Sequence, residues 1–147
     1  MMNVFDVASY IIGKVGTITT MKLQKLVYYS QAWSLAWDDK PLFEEDFEAW
    51  ANGPVCKSLF NIHKGLFSIP DTSIFSKYRS NGQFSKDEEE TMDAVIDFYG
   101  DKSPNWLSDL THSELPWIEA RGDCKDGDYC SEIINKETMR QYYSGLK

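Results

Sequence analysis

Between Thr19 and Pro41 the chain reads TTMKLQKLVYYSQAWSLAWDDKP, and from Leu26 onward its large apolar residues stop keeping to one side. Thr19 or Thr20 can cap a helix running from Met21 to Trp37, and Asp38-Asp39-Lys40-Pro41 stops it. In its first turns Leu23, Leu26 and Val27 point one way while Lys22 and Lys25 point another. Leu26, Val27, Tyr28 and Tyr29 are then successive, so at about 100° per residue they cover every face. Ala32, Trp33, Leu35, Ala36 and Trp37 continue that coverage. A helix that is apolar all round must be enclosed by other elements. The expected fold is therefore mainly α: a compact helical bundle around this central hydrophobic helix, with minor short β-strands.

The flanking sequence supplies the enclosing pieces. Asn3 can cap a first helix reaching about Lys14, with Val4, Val7, Ala8, Ile11 and Ile12 at helical spacing, and Gly13 and Gly16 break it. Phe47, Ala49 and Ala51 alternate with Glu48 and Trp50, as in a short extended segment. Asn52-Gly53-Pro54 marks a turn, and Pro54 suits the first turn of a helix to about His63, with Val55, Leu59 and Ile62 inward. Residues 65–85 are irregular, with a short strand expected over Ile74–Tyr78. Ser85 and Glu88 form a capping box for a helix to about Tyr99, ended by Gly100, with Met92, Val95, Ile96 and Tyr99 inward. Pro104 opens a helix containing Trp106, Leu107 and Leu110. Ser113 can cap another, because Pro116 falls in its first turn. Residues 121–130 read as an exposed loop, Ile133-Ile134 as a short strand, and Lys136–Tyr143 as a terminal helix. The 147 residues are expected to form one domain, 1–147, because that length supports one well-buried core and not two.

Charge narrows the function. A net charge of −8, with no basic stripe, disfavours nucleic acid and anionic lipid as partners; it suits a basic protein or serves only to keep the domain soluble. The N-terminus lacks a basic leader, Asp6 interrupts its apolar run, and three cysteines are an odd set for an exported chain. A cytoplasmic, reducing setting is expected, with no membrane association.

The candidate chemistry is sparse. Cys124 and Cys130, with His63 and His112, could supply metal ligands, but their spacing matches no compact zinc module, and loop cysteines, reduced or exposed, are the plainer reading. Cys56 near a helix N-terminus could pair with His63 or His112 as a nucleophile, or be a small core residue. His112 with Glu114 could serve as acid and base. The mechanical alternative has Thr111 and Ser113 capping backbone groups and Trp117 plugging the core behind Pro116. The acidic runs at 44–48 and 87–93 read as solvated faces. Trp50, Trp37, Tyr28 and Phe67 are more aromatic surface than a small core absorbs readily, so some can anchor a protein interface.

Three segments in order resemble the SocA-like antitoxin family built on the Panacea domain, which includes phage-associated GepA-like proteins. The first carries Lys22, Leu23, Gln24, Lys25, Leu26, Tyr28 and Tyr29. The second runs from Pro41-Leu42-Phe43 through Trp50 to Gly53, Pro54 and Val55. The third contains Thr111, His112, Pro116 and Trp117. Asn52 departs from the aromatic residue common before Gly-Pro-Val. The resemblance implies an antitoxin that neutralises a cognate toxin protein, by direct binding or as an adaptor delivering it to ClpXP-type protease machinery. It implies no cofactor and no catalytic residue. Two other readings stand beside it. One is a phage or mobile-element protein that binds a host protein without a cognate toxin. The other is an enzyme using His112, Glu114 or Cys56.

Overall fold

The structure, a computed structural model, describes residues 2–146. Its elements are α1 (Val4–Val15), β1 (Ile18–Thr19), α2 (Thr20–Asp38), β2 (Phe47–Trp50), β3 (Gly53–Cys56) and α3 (Lys57–His63). There follow β4 (Ser68–Ile69), a 3-10 turn (Thr72–Tyr78), α4 (Lys86–Tyr99), α5 (Pro104–His112), α6 (Leu115–Arg121) and α7 (Lys136–Ser144). The fold is mainly α, with two small antiparallel sheets, β1 with β4 and β2 with β3.

Helix α2 is central, as its pattern requires. It packs against α1, α4, α5, α7 and the β2–β3 hairpin, and every residue from Leu23 to Ala32 is buried. Thr19 rather than Thr20 caps it, its hydroxyl accepting from the Lys22 N–H at 3.1 Å. Polar residues in the buried stretch are bound to specific chain segments. The Gln31 amide clamps the 42–43 segment, donating to the Phe43 carbonyl at 2.8 Å and accepting from the Leu42 N–H at 2.7 Å. Two caps follow sequence logic closely. Asn3 and Asp6 close a capping box on α1, and Ser85 and Glu88 close one on α4. Asp6 is itself buried and also accepts from the Ser80 hydroxyl at 2.7 Å, which ties α1 to the 79–82 loop. Ser85→Ala should lower stability by about 1 kcal/mol in a denaturant titration, the usual loss for an exposed N-cap. An unchanged midpoint would mean that α4 is held by its packing alone.

Five expectations are corrected. Gly13 does not break α1, which passes through it and stops at Gly16, where φ is +80°. Pro54 does not start a helix. It lies in β3 opposite Ala49, and α3 begins at Lys57. The cause is tertiary: the Gln24 side chain accepts from the Cys56 N–H at 2.9 Å and donates to its carbonyl at 3.3 Å, holding that backbone extended. Ile74–Tyr78 belongs to a 3-10 turn and not a strand, because the Asp71 carboxylate caps the Ser73 N–H at 2.9 Å and Phe75 turns into the core. Ser113 does not cap α6. Its hydroxyl donates to the Leu110 carbonyl and closes α5, while Glu114 holds the N-cap position with Pro116 in the first turn. Around Ile133 the expected strand shrinks to one bridge with Glu48.

Candidate functional site

The three family-like segments are far apart in sequence and meet in one place. The hub is a pair of adjacent polar residues on α2. Gln24 brackets Cys56 as described, and its amide nitrogen lies 3.0 Å from His63 Nε2. Lys25 is 1% exposed, and its ammonium donates to the Pro54 carbonyl at 3.4 Å. It forms no ion pair with any described residue, and burial lowers its pKa to about 8. Gly53 passes directly over the Lys25 stem: a Cβ there would lie 2.5 Å from Lys25 Cε and 2.8 Å from Thr111 Oγ1. Only glycine fits so close an approach at a φ of +116°.

The third segment locks onto the other two. The Trp117 indole donates to the Trp50 carbonyl at 2.8 Å, and Ser108 donates to the Asn52 carbonyl at 2.7 Å. Thr111 donates back within α5, to Ser108, at 2.7 Å. Pro116 and Val55 are buried beside them, and Leu23 and Leu26 are fully buried in the core. Lys22 remains half-buried in the first turn of α2.

Glu114, like Asp6, is a buried carboxylate. Its Oε1 accepts from the Tyr29 hydroxyl at 2.8 Å and from the Tyr143 hydroxyl at 2.7 Å. Tyr143 spends its proton on Glu114, so Tyr28, 3.1 Å away, is the donor to Tyr143. The chain Tyr28–Tyr143–Glu114–Tyr29 thus links α2, α6 and α7. Burial raises the pKa of the Glu114 carboxyl, and the two tyrosine hydrogen bonds oppose that shift.

These contacts bear on the acid–base and nucleophile readings of His112, Glu114 and Cys56. The His112 ring lies 4.3 Å from the Trp117 ring, and no hydrogen bond joins it to Glu114. Burial pushes the Cys56 thiol up to about 11, the direction opposite to nucleophile activation. His63 contacts Gln24 and its pKa is lowered by burial. The packing reading of Thr111–Trp117 therefore accounts for most of the segment, although the buried His112 Nε2 has no described partner.

Cys124 and Cys130 correct another expectation. They are not two separate loop thiols but a disulfide, with Cα atoms 6.1 Å apart and Cys130 buried. Arg121 organises the loop between them. This residue was not singled out from sequence, yet it is buried, and its guanidinium donates to the carbonyls of Ala49, Asp128 and Lys125. The loop thereby carries Tyr129 to within 5.5 Å of the Trp50 ring, which also has Phe60 at 4.8 Å.

Two concave surfaces flank the hub. One, of about 320 Å³, lies among Gln24, Lys25, Trp50, Phe60, His63 and Tyr129. The other, of about 500 Å³, is an aromatic groove between the end of α2, α4 and α5, lined by Trp33, Trp37, Phe98, Tyr99 and Trp106, with Glu114 and Leu146. Of the aromatics expected at the surface, Phe67 and Trp37 are exposed, Trp50 is half-buried and Tyr28 is buried in the hydroxyl chain. No helix among the described residues is long and apolar enough to cross a membrane.

No curated protein and no solved structure matches the chain. The family described as "Antitoxin SocA-like, Panacea domain" matches residues 23–118, which span the first segment from Leu23, the Trp50–Val55 hairpin and the third segment through Trp117. That match covers well over half of the chain and encloses the hub that the three segments build together: the chain belongs to the SocA-like antitoxin family of Panacea-domain proteins.

Proposed function

We propose that this protein is the antitoxin of a toxin–antitoxin pair and neutralises its toxin by binding it. The observation that carries this reading is the family match over residues 23–118. The acidic surface, with a net charge of −8, supports a basic protein partner over nucleic acid. The high thiol pKa of Cys56 and the packing role of His112 favour binding over catalysis. The pairing of Gly53 with Lys25 and of Trp50 with Trp117 supports a structural role for the motif residues Lys22 to Tyr29, Trp50 to Val55, and Thr111 to Trp117. In this reading they build the platform, and the toxin meets the surface around it.

The test is co-expression with the product of the adjacent gene. Expression of that product alone should arrest growth, and this protein should restore growth and co-purify with it. A stable toxin in the rescued cells indicates blocking by direct binding. A toxin whose level falls, and recovers in cells lacking ClpXP-type protease, indicates adaptor delivery. If a toxic neighbour is neither bound nor neutralised, the reading is wrong. Recovery of a host protein in its place would then favour the mobile-element alternative.

A further inference from the structure

The aromatic groove has a composition that a purely apolar occupant does not explain. Its outer edge leaves Trp37 55%, Phe98 61% and Trp106 42% exposed, with Leu146 beside them. Its lining includes a carboxylate, Glu114, that is only 4% exposed. Both hydrogen bonds to that carboxylate end on Oε1, and Oε2 accepts from no described residue. An apolar side chain filling the groove would seal Oε2 from water without a donor, which is unfavourable. A basic side chain would supply the donor and the counter-charge together.

The walls suit a cation as well. Indole and phenol faces attract cations through their quadrupoles. The protein already uses this at the groove mouth, where the Lys102 ammonium lies 5.3 Å from the Trp106 ring centre and 5.9 Å from that of Phe98. The Trp33 indole donates to the Tyr99 hydroxyl at 2.9 Å, so that wall is held in place before any ligand arrives. Acidic residues neighbour the lining residues along the chain: Asp97 precedes Phe98 on α4, Asp101 follows the end of α4, and Asp109 stands one turn from Trp106 on α5. Of these, Asp101 is engaged by Lys102 at 3.6 Å.

We propose that this groove receives an arginine or lysine side chain of the protein partner, held between Trp33, Trp37 and Trp106 with its charged end on Glu114 Oε2. The exposed Trp37, Phe98 and Leu146 require more cover than a free amine provides. The basic residue therefore comes flanked by apolar ones, as on one face of an amphipathic helix. The proposal rests on the antitoxin reading for the identity of the partner, the toxin, but its chemistry is testable without a toxin.

The probe is a short amphipathic Leu/Ser peptide with one central arginine on its apolar face, compared by calorimetry with the same peptide carrying citrulline. The arginine peptide should bind at least about tenfold more tightly, a difference of ~1.4 kcal/mol. The double variant Phe98→Ala/Trp106→Ala changes exposed residues, and should lose binding by more than tenfold with a normal melting transition. Glu114→Gln retains an acceptor for Tyr29 and Tyr143 and should abolish the arginine–citrulline difference. Equal binding of the two peptides to the native protein overturns the proposal, as does unchanged binding by the double variant. Arginine amide that binds as tightly as the peptide overturns the apolar-flank requirement. With the toxin in hand, the two readings separate. A double variant that neutralises as well as the native protein sinks this proposal and leaves the antitoxin function standing. A native protein that fails to neutralise, while discriminating between the peptides, sinks the antitoxin function and leaves the groove chemistry standing.

Discussion

Leu26→Asp should leave no cooperative unfolding transition. Leu26 is fully buried within the buried stretch of α2, where helices and the β2–β3 hairpin enclose every face. Removing a buried leucine side chain already costs about 2–5 kcal/mol. The carboxylate that replaces it has no ion pair available, since nearby Lys25 is turned to the Pro54 carbonyl. Placing an unpaired carboxylate in the core, or protonating it to avoid the charge, adds several kcal/mol more. The sum is comparable with the whole stability of a domain this size, roughly 5–15 kcal/mol. Circular dichroism should show lost tertiary structure and a broad, non-cooperative melt. A sharp transition near the native temperature would mean that α2 is not the organising helix.

Gly53→Ala should be the most damaging single methyl addition in the hub. Two independent penalties coincide there. A φ of +116° is a backbone conformation that alanine rarely adopts, and residues held in such regions cost about 1–3 kcal/mol. The new Cβ would also sit 2.5 Å from Lys25 Cε. Lys25 cannot swing aside into water, because it is buried and its hydrogen bond to Pro54 would be broken by the move. A loss of about 3 kcal/mol or more is expected in denaturant titrations. Gly16→Ala is the control: φ is +80° but no atom lies within 4 Å, so only the backbone penalty applies. If the two variants lose equal stability, the close packing of Lys25 on Gly53 has no energetic weight.

Much of the fold was legible because its determinants are local. Asn3, Ser85 and Pro104 mark helix starts by chemistry that acts within one turn, and each begins the helix its sequence predicts. The enclosure of α2 followed from apolar periodicity, which reports burial wherever the enclosing elements come from. The failures share the opposite character. Lys25 is set apart from the Leu23–Leu26–Val27 face, and nothing within a few positions marks it as buried, because its acceptor is contributed by Pro54. Pro54 itself fits a helix start equally well, until Gln24 seizes the backbone of Cys56. Arg121 and the Cys124–Cys130 pairing were hidden for the same reason, since the Arg121 guanidinium reaches back to Ala49 as well as into its own loop. The aromatic groove was half visible. Trp37 was marked as a surface candidate, but the convergence of Phe98, Trp106 and Glu114 on it needs the α4–α5 turn and the α6 start to be placed in space.

Helix α7 packs extensively against α2, and Tyr28 and Tyr143, in hydroxyl contact, lie 115 positions apart. A chain emerging from the ribosome therefore makes its central helix well before the helix that covers it. Until Met139 and Tyr143 arrive, the face of α2 around Tyr28 and Tyr29 has no native partner to close it. Long-range closure of this kind slows folding and prolongs the time that apolar surface is open to chaperones or to other unfolded chains. The central helix that organises the finished domain is, during its birth, the segment most in need of protection.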